Sequence, residues 1–352
     1  MNLETLVNQA RDSLLFTAPI LGPHLTKFLS DHGPTIRNMA KRVVNEKISH
    51  IYWVGAGNSW VNLYSGKYLM DTYSDLPSDV FTSYDFIWRN PPRLNNSTWV
   101  FLASFSGATE DTLAALRHAN TKGAHTVAIV NKSDCLMAKE AREVVAYNSK
   151  ALFILPLAMA FLFSLEVARL RGAHNVTEIT EGLYSLPALL TNQYIEEEYS
   201  GRKHAEEFQS ERLIYTLGSG PLYGLAYKFG LTVFMENMRV NGSFIDATEF
   251  RHGPAEMFGR EKPAIVILLG TDSSRGVVER VRQLCQTQGA HLLVYDLADY
   301  PGIHPQLAPF ALMIPLQWFA VWSSLLRGVT DMDDRFLMGR GILGAGTGVT
   351  WP

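Results

Sequence analysis

Three groups of residues in this chain carry side chains that reaction chemistry needs. The first is DATEFRHGPAEM, Asp246 to Met257, which sets His252 next to Arg251 and between Glu249 and Glu256. Gly253-Pro254 follows the histidine directly, and that pair is turn chemistry. An imidazole held on a turn can give or take a proton near neutral pH. The plain alternative is a packed or surface histidine.

The second group is one residue, Glu236. Leu222, Leu225, Ala226, Phe229 and Val233 recur at helical spacing, and Glu236 falls on the same apolar stripe. A carboxylate there is costly unless it is paired or protonated. It reads as a general base in a partly buried place, as a salt bridge, or as a helix end that has reached solvent.

The third group is VFLASFSGATEDT, an apolar run that ends in Ser104, Ser106 and Thr109 around Gly107. Ligands of open parallel sheets sit at the carboxyl ends of strands. Several hydroxyls beside a helix N-terminus suit a phosphate. The same residue types also make an ordinary helix cap. An earlier loop, Gly55-Ala56-Gly57-Asn58-Ser59-Trp60, raises dinucleotide binding. Trp60 stands where that fingerprint needs its third glycine, and no Walker lysine is present. Gly57, Asn58 and Ser59 can still form one wall of a small anion site.

The elements that must hold these groups follow from the pattern. HIYWVGAGNSWVNLYSGKYLMDTY and RLIYTLGSGPLYGLAYKFGLTVFMENM each read as an apolar strand, a glycine turn and a helix. Each is followed by a strand ending in hydroxyl residues, a helix, and a further strand, GAHTVAIVN or GAHLLVYDL. Strand–helix alternation predicts parallel sheets covered by helices, and the repeated order predicts two copies of one α/β unit. The expected boundaries are a helical segment at 1–34, a first domain at 35–175 and a helical connection at 176–204. A second domain follows at 205–335, then a tail at 336–352.

Composition limits the function. The chain has 352 residues, 47% of them apolar, and a formal charge of -3, which gives no electrostatic reason to expect nucleic acid. Cys135 and Cys285 match no metal spacing and fit a reducing compartment. No metal cluster and no cofactor are expected. ALFILPLAMAFLF, Ala151 to Phe163, is short for a spanning helix and contains Pro156, so it reads as a buried helix. The start reads as an amphipathic helix rather than a signal peptide. The expectation is a cytoplasmic protein that does not engage a membrane.

With these residues in view, the chain resembles the sugar isomerase (SIS) domain family, with two such domains in tandem. Within that family it is similar to the isomerase half of glucosamine-fructose-6-phosphate aminotransferases, and closer to the fructoselysine and glucoselysine 6-phosphate deglycases. SFSGATEDT, GSGPLYGLAYKFG, FMENM, TEFRHGPAEM and LAPFALMIPLQWFA carry the likeness. The resemblance implies an α/β fold of two mostly parallel sheets flanked by helices. It implies that Ser104, Ser106 and Thr109 hold a substrate phosphate, with Ser59 adding a contact from the earlier loop. Phe105 stands where the aminotransferases usually have Gln, so a side-chain amide contact is lost.

The resemblance also assigns proton transfer to Glu236 and ring opening to His252, and their separation, 252 − 236 = 16, agrees with the family pattern. It implies a homodimer in which His252 serves the neighbouring subunit's pocket. The aminotransferases' C-terminal lysine has no counterpart in DMDDRFLMGRG, where Met338 and Gly339 stand near its place. The implied activity is hydrolysis of a 6-phosphorylated sugar–amino acid conjugate to a hexose 6-phosphate and a free amino acid. An isomerase or aminosugar-phosphate deaminase, and a non-catalytic sugar-phosphate sensor, are the alternatives.

Overall fold

The computed structural model of the chain describes residues 3–14 and 16–337. Apart from Phe336 and Leu337, the expected tail at 336–352, with Met338 and Gly339, lies outside the described residues. The chain forms two compact units. One is Ile20–Ala188; the other joins Met1–Pro19 to Leu189–Pro352.

The unit Ile20–Ala188 is built on five parallel strands: β1 (His50–Gly55), β2 (Ser78–Thr82), β3 (Thr98–Ser104), β4 (His125–Val130) and β5 (Glu143–Ala146). Their order is β2-β1-β3-β4-β5. β1 and β3 are buried along their whole length, which is why HIYWVG and TWVFLAS read as unbroken apolar runs rather than alternating ones. Trp53 stacks on Phe101, and Phe163 closes on both from the helix Leu155–Leu170. That helix contains most of the run expected to be a buried helix, and it is buried from Leu155 to Ala168.

The other unit has four parallel strands: β6 (Leu213–Gly218), β7 (Asn241–Asp246), β8 (Ala264–Leu269) and β9 (His291–Asp296), in the order β7-β6-β8-β9. Numbered within each sheet, both run second, first, third, fourth. The rhyme heard in the sequence is thus a repeated topology. It extends to detail: each fourth strand opens on the histidine of its Gly-Ala-His, and each histidine lies by a glutamate. His125 Nε2 is 2.5 Å from Glu143 and His291 Nδ1 is 2.6 Å from Glu211. Each imidazole also stacks on an aromatic ring, Trp99 or Phe208.

One stretch among the described residues, Pro305–Leu326, is long and apolar enough to cross a membrane, but 94% of its most apolar window is buried inside the protein. Trp318 and its neighbours serve as core for this second sheet's unit, packed against Phe16 and Tyr194.

Candidate active site

In a sheet of order 2-1-3-4-5 the connections leave in opposite directions after the first and third strands, and the crevice between those strand ends is where ligands bind. β1 and β3 are paired neighbours, with Gly55 opposite Ala103. The topology therefore puts Gly57, Asn58 and Ser59, which open the helix Gly57–Tyr73, beside the loop from Ser104 to Thr109. All seven residues expected to touch a phosphosugar, Phe105 and Ser106 included, lie on these two loops.

The hydroxyls of the second loop converge. Ser104 is buried and its Oγ lies 2.7 Å from Thr109 Oγ1 and 3.5 Å from Ser106 Oγ. Ser106 Oγ is 3.4 Å from Thr109 Oγ1. Gly107 N donates to Ser104 Oγ at 3.1 Å and Ala108 N to Ser106 Oγ at 3.2 Å. Thr109 is the N-cap residue of the helix Glu110–Thr121, yet its hydroxyl makes no capping bond. It turns to the two serines instead. A helix cap would satisfy the helix's own N–H groups; here three hydroxyls lie within 3.5 Å of one another, and the N–H groups of Gly107 and Ala108 hold the two serine oxygens in place. That arrangement can receive a tetrahedral anion.

The carbonyl of Phe105 accepts from Asn131 N at 3.2 Å, which ties the loop to the residue after β4. Gly107 has a φ of 61°, in the left-handed region, and the same position is tight for a second reason. A Cβ there would overlap Cys135 Sγ and come within 2.8 Å of Cys135 Cβ. Met137 N ties the segment after Cys135 to Gly107 O at 2.9 Å. Cys135, which matches no metal spacing in the sequence, is thus the floor of the loop.

The second sheet has a crevice at the same topological point, between the ends of β6 and β8. There Asp272 intrudes. A Cβ at Gly220 would lie 2.8 Å from Asp272 Oδ1, and one at Gly270 would overlap Oδ2. Oδ1 accepts from Ser274 N at 2.8 Å, at the start of the helix Arg275–Thr287. The second unit thus carries a carboxylate of its own where the first has a cluster of hydroxyls.

Glu236 and His252 belong to this second unit. The stripe residues Leu222, Leu225, Ala226, Phe229 and Val233 are all buried, as their spacing predicts. Glu236 does not follow them inside; its side chain is 31% exposed. The cause is local: Lys228–Val233 is a π-helix, not an α-helix. A π-turn adds a residue, and each residue of an α-helix is about 100° of rotation, so the stripe loses its phase before position 236. Glu236 forms an ion pair with Arg335, Nε to Oε1 at 2.6 Å. The sequence had weighed such a pairing but could not name the partner.

His252 stands in the loop after β7. Asp246 starts that loop, accepting from Ser219 Oγ at 2.6 Å and from Thr248 N at 3.0 Å. Phe250 is completely buried and pins the loop to the core, while Arg251, His252 and Gly253 are exposed. Arg251 Nε donates to His252 Nε2 at 3.1 Å, so that nitrogen is the imidazole's acceptor. His252 lines an open groove of about 500 Å³ with Arg251, Arg280, Val277, Val281 and Leu284. Among the described residues no cluster of His, Cys, Asp and Glu is arranged to hold a metal ion.

Comparison with known proteins adds to this geometry. Residues 45–170 match the model of the SIS domain. The chain is 30% identical over 315 residues to the fructoselysine 6-phosphate deglycase of Escherichia coli K12, covering 89% of this chain and 92% of the relative. It is 32% identical over 285 residues to the fructosamine deglycase FrlB of Bacillus subtilis, covering 78% and 86%. A solved Bacillus subtilis structure, assigned as a phosphosugar isomerase, superposes with a TM-score of 0.76 at 30% identity, covering 83% of this chain and 92% of that one.

Proposed function

We propose, from the premise that this chain belongs to the fructoselysine 6-phosphate deglycase family of SIS-domain proteins, that it is a phosphosugar-amine deglycase. It hydrolyses a 6-phosphorylated sugar–amino acid conjugate to a hexose 6-phosphate and the free amino acid. The likeness along nearly the whole chain to two deglycases carries this reading. The converging hydroxyls of Ser104, Ser106 and Thr109 support it, because a phosphate anchor is what such a substrate requires.

In the mechanism proposed, the phosphate is held by those hydroxyls and by Gly57, Asn58, Ser59 and the backbone at Phe105. His252 passes a proton to the ring oxygen as the sugar opens. Glu236 takes the proton from the amine-bearing carbon, which the neighbouring carbonyl acidifies; the electron pair forms the carbon–carbon double bond of an enaminol as the carbonyl oxygen takes up a proton from water. The proton returns to the former carbonyl carbon and the nitrogen gives up its own to water, leaving an imine. One water adds across the carbon–nitrogen double bond, and the carbon–nitrogen bond breaks. The aldose 6-phosphate and the amino acid depart. Every proton moves between these side chains, the substrate and water.

The working form proposed is a homodimer in which His252 is supplied to the partner's pocket. The exposure of the Arg251–Gly253 turn, at the tip of a loop pinned by Phe250, supports that role. The compartment proposed is the cytoplasm, consistent with two free cysteines.

The test is incubation with a panel of 6-phosphorylated sugar–lysine, sugar–aspartate and sugar–asparagine conjugates, together with fructose 6-phosphate and glucosamine 6-phosphate. Release of amino acid with stoichiometric hexose 6-phosphate is the expected result. Isomerisation or deamination of the simple phosphosugars, with every conjugate left intact, would assign the site to an isomerase or deaminase instead. Binding without turnover would make it a sensor.

A further inference from the structure

The described chain after the helix Met313–Leu326 does not leave the molecule; it returns over the end of the helix that carries Glu236. Four consecutive residues are tied down. Met332 is buried and its carbonyl accepts from Asn237 Nδ2 at 2.9 Å. Both carboxylate oxygens of Asp333 accept from Leu14 N, at 3.0 and 2.9 Å. Asp334 O accepts from the guanidinium of Arg239, a residue itself held at a φ of 57°. Arg335 then meets Glu236. The strap turns on Asp331, whose Oδ1 accepts from the backbone N–H groups of Asp333 and Asp334.

We propose that Arg335 is a positioning residue for the proton-transferring carboxylate, holding Oε1 of Glu236 so that Oε2 faces the substrate carbon. The proposal rests on the role of Glu236 in the deglycase reading above. Two features separate this pair from an ordinary surface ion pair, which orders two long side chains for little gain. Arg335 comes from a segment whose backbone is already fixed to the residues just after the carboxylate, Met332 at Asn237 and Asp334 at Arg239. Among the described residues, moreover, no other group bonds the Glu236 carboxylate, so its direction is set by one guanidinium. A general base must lie within reach of its proton before its basicity matters. The strap's other ties do not involve Arg335, so the fold does not depend on the pair.

The experiment uses the full chain and the 6-phosphorylated sugar–lysine conjugate deuterated at the amine-bearing carbon. Turnover, KM, wash-out of that deuterium and thermal stability are measured for Arg335→Ala, Arg335→Gln, Arg335→Lys and Glu236→Gln. In Arg335→Ala, kcat and wash-out should fall together by about ten- to a hundredfold, the scale of a small misplacement of a reacting group. KM and Tm should stay near wild type. Lys should recover part of the loss, because it keeps a cation at the end of the strap, and added guanidinium should recover part of it in the Ala variant. Should Arg335→Ala fail to fold, Arg335→Gln, which keeps a planar donor without charge, carries the same test. Wild-type wash-out in a folded Arg335→Ala or Arg335→Gln protein, with Glu236→Gln inactive, overturns the positioning role alone. Normal turnover in Glu236→Gln removes the reading on which it rests, and the proposal with it.

Discussion

The thiol of Cys135 fills the space beside Gly107 that any side chain there would need. Two constraints meet at this glycine, the left-handed φ and the sulfur beneath it. Gly107→Ala should therefore lower stability by about 1–3 kcal/mol, the cost of a strained backbone position. It should also displace the hydroxyl loop and weaken binding of a hexose 6-phosphate. Adding Cys135→Gly should recover part of the binding, since it removes the overlap but not the φ. Denaturant unfolding and calorimetry on the single and double variants check this. Wild-type affinity in Gly107→Ala would show that the loop does not depend on that packing.

The hydroxyls themselves are tested by Ser104→Ala with Ser106→Ala. Two donors to a charged group are lost, so affinity for a hexose 6-phosphate should fall by about 2–5 kcal/mol. The same titration gives stoichiometry. Asp272 occupies the second crevice, so one phosphosugar per chain is expected of the wild type. A second equivalent bound to wild type would show that the Asp272 carboxylate yields to a phosphate.

Shared pockets make a distinctive prediction. Glu236→Gln and His252→Asn homodimers should each lose at least about a hundredfold in turnover, the low end for a positioned acid or base. If His252 serves its neighbour, a mixed dimer has one pocket with both lesions and one with neither. Random subunit exchange makes about half the dimers mixed, so activity should approach a quarter of wild-type pockets. Verified exchange that restores nothing would place His252 in the pocket of its own chain.

Stability should fall with acidity in two stages. Burial lowers the pKa of His50, and Asp79 at 2.9 Å does not reverse that. His32, His118 and His204 are lowered by burial too. A histidine lowered in the folded state contributes stability that is complete above its unfolded value, about 6.5, and is lost as pH falls toward the folded one. Burial raises Glu143 and Asp296, yet His125 and Arg42 for the first, and Arg275 for the second, hold both below the ordinary range. Their contribution persists below the histidine stage and is lost only under more acid conditions, as pH falls through their folded values. Tm should thus decline from about pH 6.5, and again below about pH 4. His50→Gln should flatten the first decline. Parallel Tm curves for variant and wild type would assign that decline elsewhere.

Much of this protein is legible in the linear chain because the signals are local. Unbroken apolar runs mark strands buried on both faces, and glycine and hydroxyl residues mark their ends. The repeated order marks two sheets of like topology. That β1 and β3 are neighbours, so that Gly57–Ser59 and Ser104–Thr109 face one crevice, follows from strand order, which no local pattern encodes. The stripe from Leu222 to Val233 was read correctly as core, but its extension to Glu236 assumed a constant helical period, and the π-turn breaks it. Arg335 as the partner of Glu236, Cys135 beneath Gly107 and Asp272 in the second crevice are contacts made only when the backbone closes on itself. Residue type and spacing determined which groups could do chemistry. The tertiary structure decided which group each one meets, because packing and charge pairing act through space and the chain order does not record those distances.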